Sequence, residues 1–216
     1  MEQQLMIDPC KSDTIIIIYP GYRGDADGYN GKYKKIAQFL IEKGIGAVIR
    51  SSNFAVPGVD YAQSLKERLR EVIAYALKHA QEISFSEPPR LFLVGLSAGA
   101  GAVAALASEF PSVEKILLIA PAADVGKDAM QHGLSGYSGE LYITVGADDA
   151  VAGTEFPNTV YDWASNTKNR ELIIVQDCDH QFRGEENGKI LSKAFLWAFA
   201  GDDTYPNPDD GIKLYE

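Results

Sequence analysis

Short apolar runs alternate with helical stripes along most of this chain. Thr14 to Tyr19 is a continuous β-branched and apolar run, the pattern of a strand buried on both faces. Lys32 to Lys43 then puts Tyr33, Ile36, Ala37, Leu40 and Ile41 on one side and stops at Gly44, which predicts a helix with a glycine C-cap. Ala47 to Ile49 reads as a short strand. Tyr61 to Glu82 is the clearest helix: Leu65, Leu69, Val72, Ile73, Ala76, Leu77 and Ala80 form one stripe with charges opposite. Leu91 to Val94 and Lys115 to Ile119 are further strands, separated by a small-residue helix from Ala98 to Phe110. Pro121 to Gly139 scatters Gly and Ser and reads as an irregular connection. Leu141 to Val145 and Glu171 to Val175 are the last two strands, with a short helix from Thr159 to Ser165 between them. Glu185 to Ala200 closes the series with a stripe of Ile190, Leu191, Ala194, Phe195 and Ala198.

Strands joined by helices of these lengths need right-handed crossovers. The predicted fold class is therefore α/β, a mostly parallel sheet of about six or seven strands with helices on both faces. A length of 216 residues fits one domain over residues 1–200, followed by an acidic C-terminal tail over 201–216. That tail is either disordered or strapped along the surface by Tyr205 and Tyr215. In such sheets ligands gather at the carboxyl ends of the strands.

Composition narrows the function classes. Thirty acidic against twenty basic residues give a net charge of −10, which repels phosphate backbones and anionic lipid. Neither nucleic acid nor a membrane is expected as a partner, and oligomeric state is left open. No apolar run approaches the roughly 20 residues of a membrane span, and Met1 to Leu5 lacks the basic and apolar regions of a signal peptide. Cys10 and Cys178 stand apart without metal-ligand or C-x-x-C spacing, which suits a reducing cytoplasm. No metal site and no cofactor is expected; the sequence after Gly99 has no phosphate-loop lysine.

The candidate chemistry lies at Gly95-Leu96-Ser97-Ala98-Gly99. A G-x-S-x-G segment between a strand and a helix is the setting of a nucleophilic serine on a tight turn. A serine hydroxyl needs a base in reach, and the base needs an orienting group. Of three histidines, His79 falls near the end of the long helix and His132 in the irregular segment. His180 directly follows the last strand, at the same sheet edge as Ser97, and is the expected base. The acid should follow the strand Leu141 to Val145, where Asp148 and Asp149 both stand; spacing alone does not separate them. An oxyanion hole needs two N–H donors. The candidates are Ala98, just after the serine, and Tyr22, in the loop Pro20-Gly21-Tyr22-Arg23-Gly24.

With these residues in place the chain resembles the α/β-hydrolase superfamily, in its small lidless serine-hydrolase form. The order Ser97, acid, His180 agrees with that family. Gly146 to Val151 resembles its acid loop, with a glycine three residues before Asp149 and a valine two after, and this favours Asp149 over Asp148. Asp179-His180-Gln181-Phe182 with Gly184 resembles its histidine loop. Pro20-Gly21-Tyr22 stands where the family has His-Gly, so the backbone donor is retained and the histidine is not. Gln4 to Ile7 stands where the family's first strands would be. The segment that usually carries a lid is short, which implies an open pocket and small or externally held acyl substrates. The resemblance implies a serine hydrolase cleaving a carboxylic ester or thioester of a small-molecule acyl substrate through an acyl-serine. A non-catalytic binding scaffold and an acyltransferase using the same side chains are the alternatives. The loop residues nearest the expected edge, and so the expected substrate contacts besides Tyr22, are Arg23, Tyr29, Asn53, Phe54, Met130 and His132; Arg23 is the candidate for recognising a substrate carboxylate.

Overall fold

A computed structural model of the chain describes residues 4–215; the extreme N-terminus and Glu216, the last residue of the tail, lie outside it. Seven strands form one sheet: β1 (Leu5–Asp8), β2 (Thr14–Tyr19), β3 (Ala47–Ser51), β4 (Arg90–Leu96), β5 (Val113–Ile119), β6 (Glu140–Gly146) and β7 (Asn169–Val175). Their spatial order is β1-β3-β2-β4-β5-β6-β7. All neighbours are parallel except β1, which pairs antiparallel with β3, Leu5 opposite Ser51.

The consecutive isoleucines of β2 are apolar on both faces because the sheet is covered on both. Ile15, Ile17 and Tyr19 point to one side, with Leu91 and Leu93 of β4. There they meet α2 (Tyr61–Lys78), α4 (Ala98–Leu106), α5 (Lys127–Ser135) and α6 (Glu155–Trp163). Ile16 and Ile18 point to the other side, with Phe92 and Val94, against α1 (Lys32–Glu42) and α7 (Glu185–Ala200). Helix α4 is built of small residues because it lies wholly buried between the sheet, α2 and α5. A side chain on Gly95 would press into the α4 backbone, with its Cβ 2.4 Å from Ala100 Cα.

Three elements depart from the pattern-based expectation. The segment 121–139 is not wholly irregular, since it contains α5, whose Met130 and Leu134 are fully buried. The long helix breaks at His79, where φ −110° and ψ 20° interrupt it before a last short turn, α3 (Ala80–Ile83). Helix α6 begins at Glu155, ahead of Pro157, because proline is tolerated in a first helical turn.

Residues beyond α7 run back over the domain. Tyr205 stacks on Trp197 at 4.9 Å, and its hydroxyl lies 2.6 Å from Thr144 Oγ1. Leu214 is fully buried, and Tyr215 Oη donates to the Gln181 carbonyl at 2.8 Å.

Candidate active site

Strand β4 delivers Ser97 to the carboxyl edge of the sheet, and α4 leaves from the next residue. The turn is sharp. Ser97 has φ 52° and ψ −118°, a conformation disfavoured for a side chain and stable only when its surroundings impose it. They do so here: the Ser97 N–H donates to the Ile119 carbonyl at 2.9 Å, and its carbonyl accepts from Gly101 and Ala122, both at 3.2 Å.

Two loops, after β6 and after β7, converge on the serine. After β6, Asp149 has a fully buried side chain. Its Oδ1 accepts the N–H groups of Val151 and Ala152, each at 2.8 Å, leaving Oδ2 for His180 Nδ1 at 2.7 Å. After β7, His180 presents Nε2 to Ser97 Oγ at 2.9 Å. Asp149 can only accept at Oδ2 when ionised, so Nδ1 carries the imidazole proton and Nε2 is left to accept from the serine hydroxyl. Asp148 is exposed; its backbone N–H donates to the Cys178 carbonyl at 2.9 Å, which ties the acid loop to the histidine loop. The two loops touch so closely that a Cβ on Gly146 would lie 2.1 Å from Cys178 O. Between them Cys178 is buried, and burial together with Asp179, Asp148 and Asp149 pushes its thiol up to about 12.

The loop after β2 lies against the serine from the other side, with a Cβ built on Gly21 falling 3.3 Å from Ser97 Cβ. Asn53, only 1% exposed, clamps this loop from behind. Its Nδ2 donates to the carbonyls of Pro20 at 2.7 Å and Gly21 at 2.8 Å, and Gly24 N–H also donates to Gly21 O. In a trans peptide the C=O and the following N–H point in opposite directions. With Gly21 O turned toward Asn53, the Tyr22 N–H points away from it. The Ala98 N–H is the first of α4 and has no intrahelical acceptor.

A cavity of about 430 Å³ opens over Ser97 and His180, walled by Tyr22, Tyr29, Lys32, Tyr33, Val151 and Phe182. Of the expected contacts, Tyr22 and Tyr29 are on this wall. Arg23 is not: it turns outward with its guanidinium over the Tyr22 ring, 5.2 Å from the centroid. Met130 is fully buried against α4, and His132 is exposed on the solvent side of α5, because α5 packs on the sheet face rather than over the edge. Asn53 acts behind the loop, and Phe54 is half-buried without lining the cavity. Lys32 and Tyr33, which the sequence pattern shows only as the start of α1, and Phe182 of the histidine loop also line the cavity. Burial draws the Lys32 ammonium below the usual lysine range, opposed by Asp179 and Asp25, and pushes the Tyr33 hydroxyl well up. Among the described residues no group of three or more His, Cys, Asp or Glu side chains converges as a metal site, and no helix is long and apolar enough to cross a membrane.

No family model and no curated protein sequence matches the chain. Solved structures do match it in shape. An alpha-beta serine hydrolase homologue from Coxiella burnetii superposes with a TM-score of 0.70 at 19% identity, over 90% of each chain. Dienelactone hydrolase from Anabaena variabilis gives 0.70 at 17% identity, over 91% of each chain. Est1E from Butyrivibrio proteoclasticus gives 0.68 at 15% identity, over 89% of this chain and 90% of that one. These likenesses, with the seven-stranded sheet and its order, show that the chain has the α/β-hydrolase fold.

Proposed function

We propose that the protein is a serine hydrolase that cleaves a carboxylic ester or thioester through an acyl-serine intermediate. The observation that carries this reading is the unbroken relay Asp149 Oδ2, His180, Ser97 Oγ, at 2.7 and 2.9 Å. Both distances are within hydrogen-bond reach, the geometry that lets a base activate a hydroxyl.

In this reading Ser97 Oγ attacks the substrate carbonyl carbon while its proton moves to His180 Nε2. The carbonyl oxygen gains negative charge, and the N–H groups of Tyr22 and Ala98 are the donors that meet it. Collapse of the tetrahedral intermediate breaks the bond to the leaving group, which takes the proton from His180. Water then attacks the acyl-serine with His180 again as base, releasing the acid and restoring the hydroxyl. Asp149 remains ionised throughout, fixing the imidazole tautomer and stabilising its positive form.

The experiment is labelling with a fluorophosphonate probe alongside turnover of short-chain 4-nitrophenyl esters. The native protein should label and turn over. Ser97→Ala should lose the label and at least about 10⁴-fold in kcat, with an unchanged circular dichroism spectrum. Full activity in that variant would remove the acyl-serine from consideration.

A further inference from the structure

Lys32 begins α1 and faces the same cavity as Ser97 and His180. Its ammonium lies 5.1 Å from the centroid of the Tyr33 ring and donates no hydrogen bond to, and forms no ion pair with, any described residue. Several other lysines also form no ion pair among the described residues, but Lys32 is the lysine that lines this cavity. Lys115, Lys189, Lys193 and Lys213 each hold a carboxylate, as do Arg50 and Arg70.

The two carboxylates whose charge reaches Lys32 are Asp179 and Asp25, and both are engaged elsewhere. Asp179 Oδ2 pairs with the Arg183 guanidinium, and its Oδ1 accepts the N–H groups of Gln181 and Arg183, each at 3.0 Å. Asp25 Oδ1 accepts the N–H groups of Asp27 at 2.9 Å and Gly28 at 2.6 Å. A half-buried ammonium without a counter-ion pays for its lost hydration, and an anion brought into the cavity would offset that cost. Burial already weighs on it: its pKa lies below the usual lysine range despite both carboxylates.

We infer that the substrate is an ester or thioester bearing a second, free carboxylate, and that Lys32 holds this group while the reacting carbonyl lies against Ser97. A single ammonium offers one positive charge, which suits a monoanion better than a phosphate dianion. Arg23, the cation expected from sequence to do this, does not line the cavity; its guanidinium lies over the Tyr22 ring. The inference rests on the acyl-serine reading of the site.

Two matched substrate pairs test it. In the first the charge is on the acyl part: 4-nitrophenyl hydrogen glutarate against 4-nitrophenyl pentanoate. In the second it is on the alcohol part: 4-acetoxybutanoate against butyl acetate. The native enzyme should favour the anionic member of at least one pair in kcat/KM. Lys32→Met should lower that anionic-to-neutral ratio roughly ten- to hundredfold, as expected for loss of a charged hydrogen bond, and Lys32→Arg should restore most of it. A native preference for the neutral member in both pairs, or a ratio unmoved by Lys32→Met, overturns the assignment. A second readout needs no turnover. In the Ser97→Ala background, calorimetry should show monomethyl glutarate binding more tightly with Lys32 present than with Lys32→Met; equal binding overturns the subsite. If the native protein hydrolyses no ester, the acyl-serine reading fails, and the calorimetric comparison alone decides whether Lys32 binds carboxylate.

Discussion

The two sides of the cavity are built by opposite means. On the Asp149–His180 side, backbone groups fix nearly everything. Two N–H donors hold Asp149, the Asp148 N–H joins the two loops, and the Gly146 contact leaves no room between them. On the 22–33 side Tyr33 is buried, but Tyr22, Tyr29 and Lys32 form the rest of the wall with long side chains that reach solvent. Tyr22 is 58% and Tyr29 73% exposed, and the Lys32 ammonium meets a ring face without a hydrogen bond. Geometry that must hold within a fraction of an ångström is set by short chain and hydrogen-bonded turns; selection of a ligand is left to groups that can adjust.

The contrast can be broken from its rigid side first. Asp149→Asn keeps the shape but leaves His180 in the wrong tautomer, and kcat should fall about 10⁴-fold with little change in KM, measured by steady-state ester hydrolysis. Gly146→Ala forces a Cβ against the Cys178 carbonyl and should cost roughly 2–3 kcal/mol of stability, read from urea unfolding. On the adjustable side the backbone clamp is the sensitive point. Asn53→Ala frees the Pro20 and Gly21 carbonyls and should lower kcat about ten- to hundredfold, more than it raises KM, because the Tyr22 N–H loses its fixed direction. The smallest effect belongs to Tyr215→Phe. Losing its bond to the Gln181 carbonyl should reduce stability by about 1 kcal/mol and change kcat less than about threefold. Equal losses for Asn53→Ala and Asp149→Asn would mean that the two sides are equally fixed.

The sequence was most legible where one residue type answers one local demand. The run from Thr14 to Tyr19 is β2 to the residue, because burial on both faces makes it a continuous β-branched and apolar run between Asp13 and Pro20. Ser97 and His180 stand out because each follows a strand end closely, whereas Asp149 is separated from Asp148 only by the family resemblance of its loop; the structure brings these three side chains together. Helix α5 is hard to read because its inward face includes Gly133, where a Cβ would lie 2.2 Å from the Ala104 carbonyl oxygen, and a glycine adds nothing to an apolar stripe. The placements of Met130 and His132 followed from that miss. Lys32 was hidden for another reason: an amphipathic pattern shows which residues of a helix are apolar, but not what its first turn faces once docked.

Cys178, two residues before His180, has one further consequence. With the thiol pushed up to about 12 by burial and the surrounding carboxylates, the sulfur stays protonated near neutral pH. Cys10, the other cysteine, lies by the Ile83 carbonyl, near where β2 begins. Maleimides, iodoacetamide and peroxide should therefore leave the native site untouched until the histidine loop opens. The rate at which this sulfur becomes alkylated then times the separation of that loop from the acid loop, a clock for local unfolding already present in the chain.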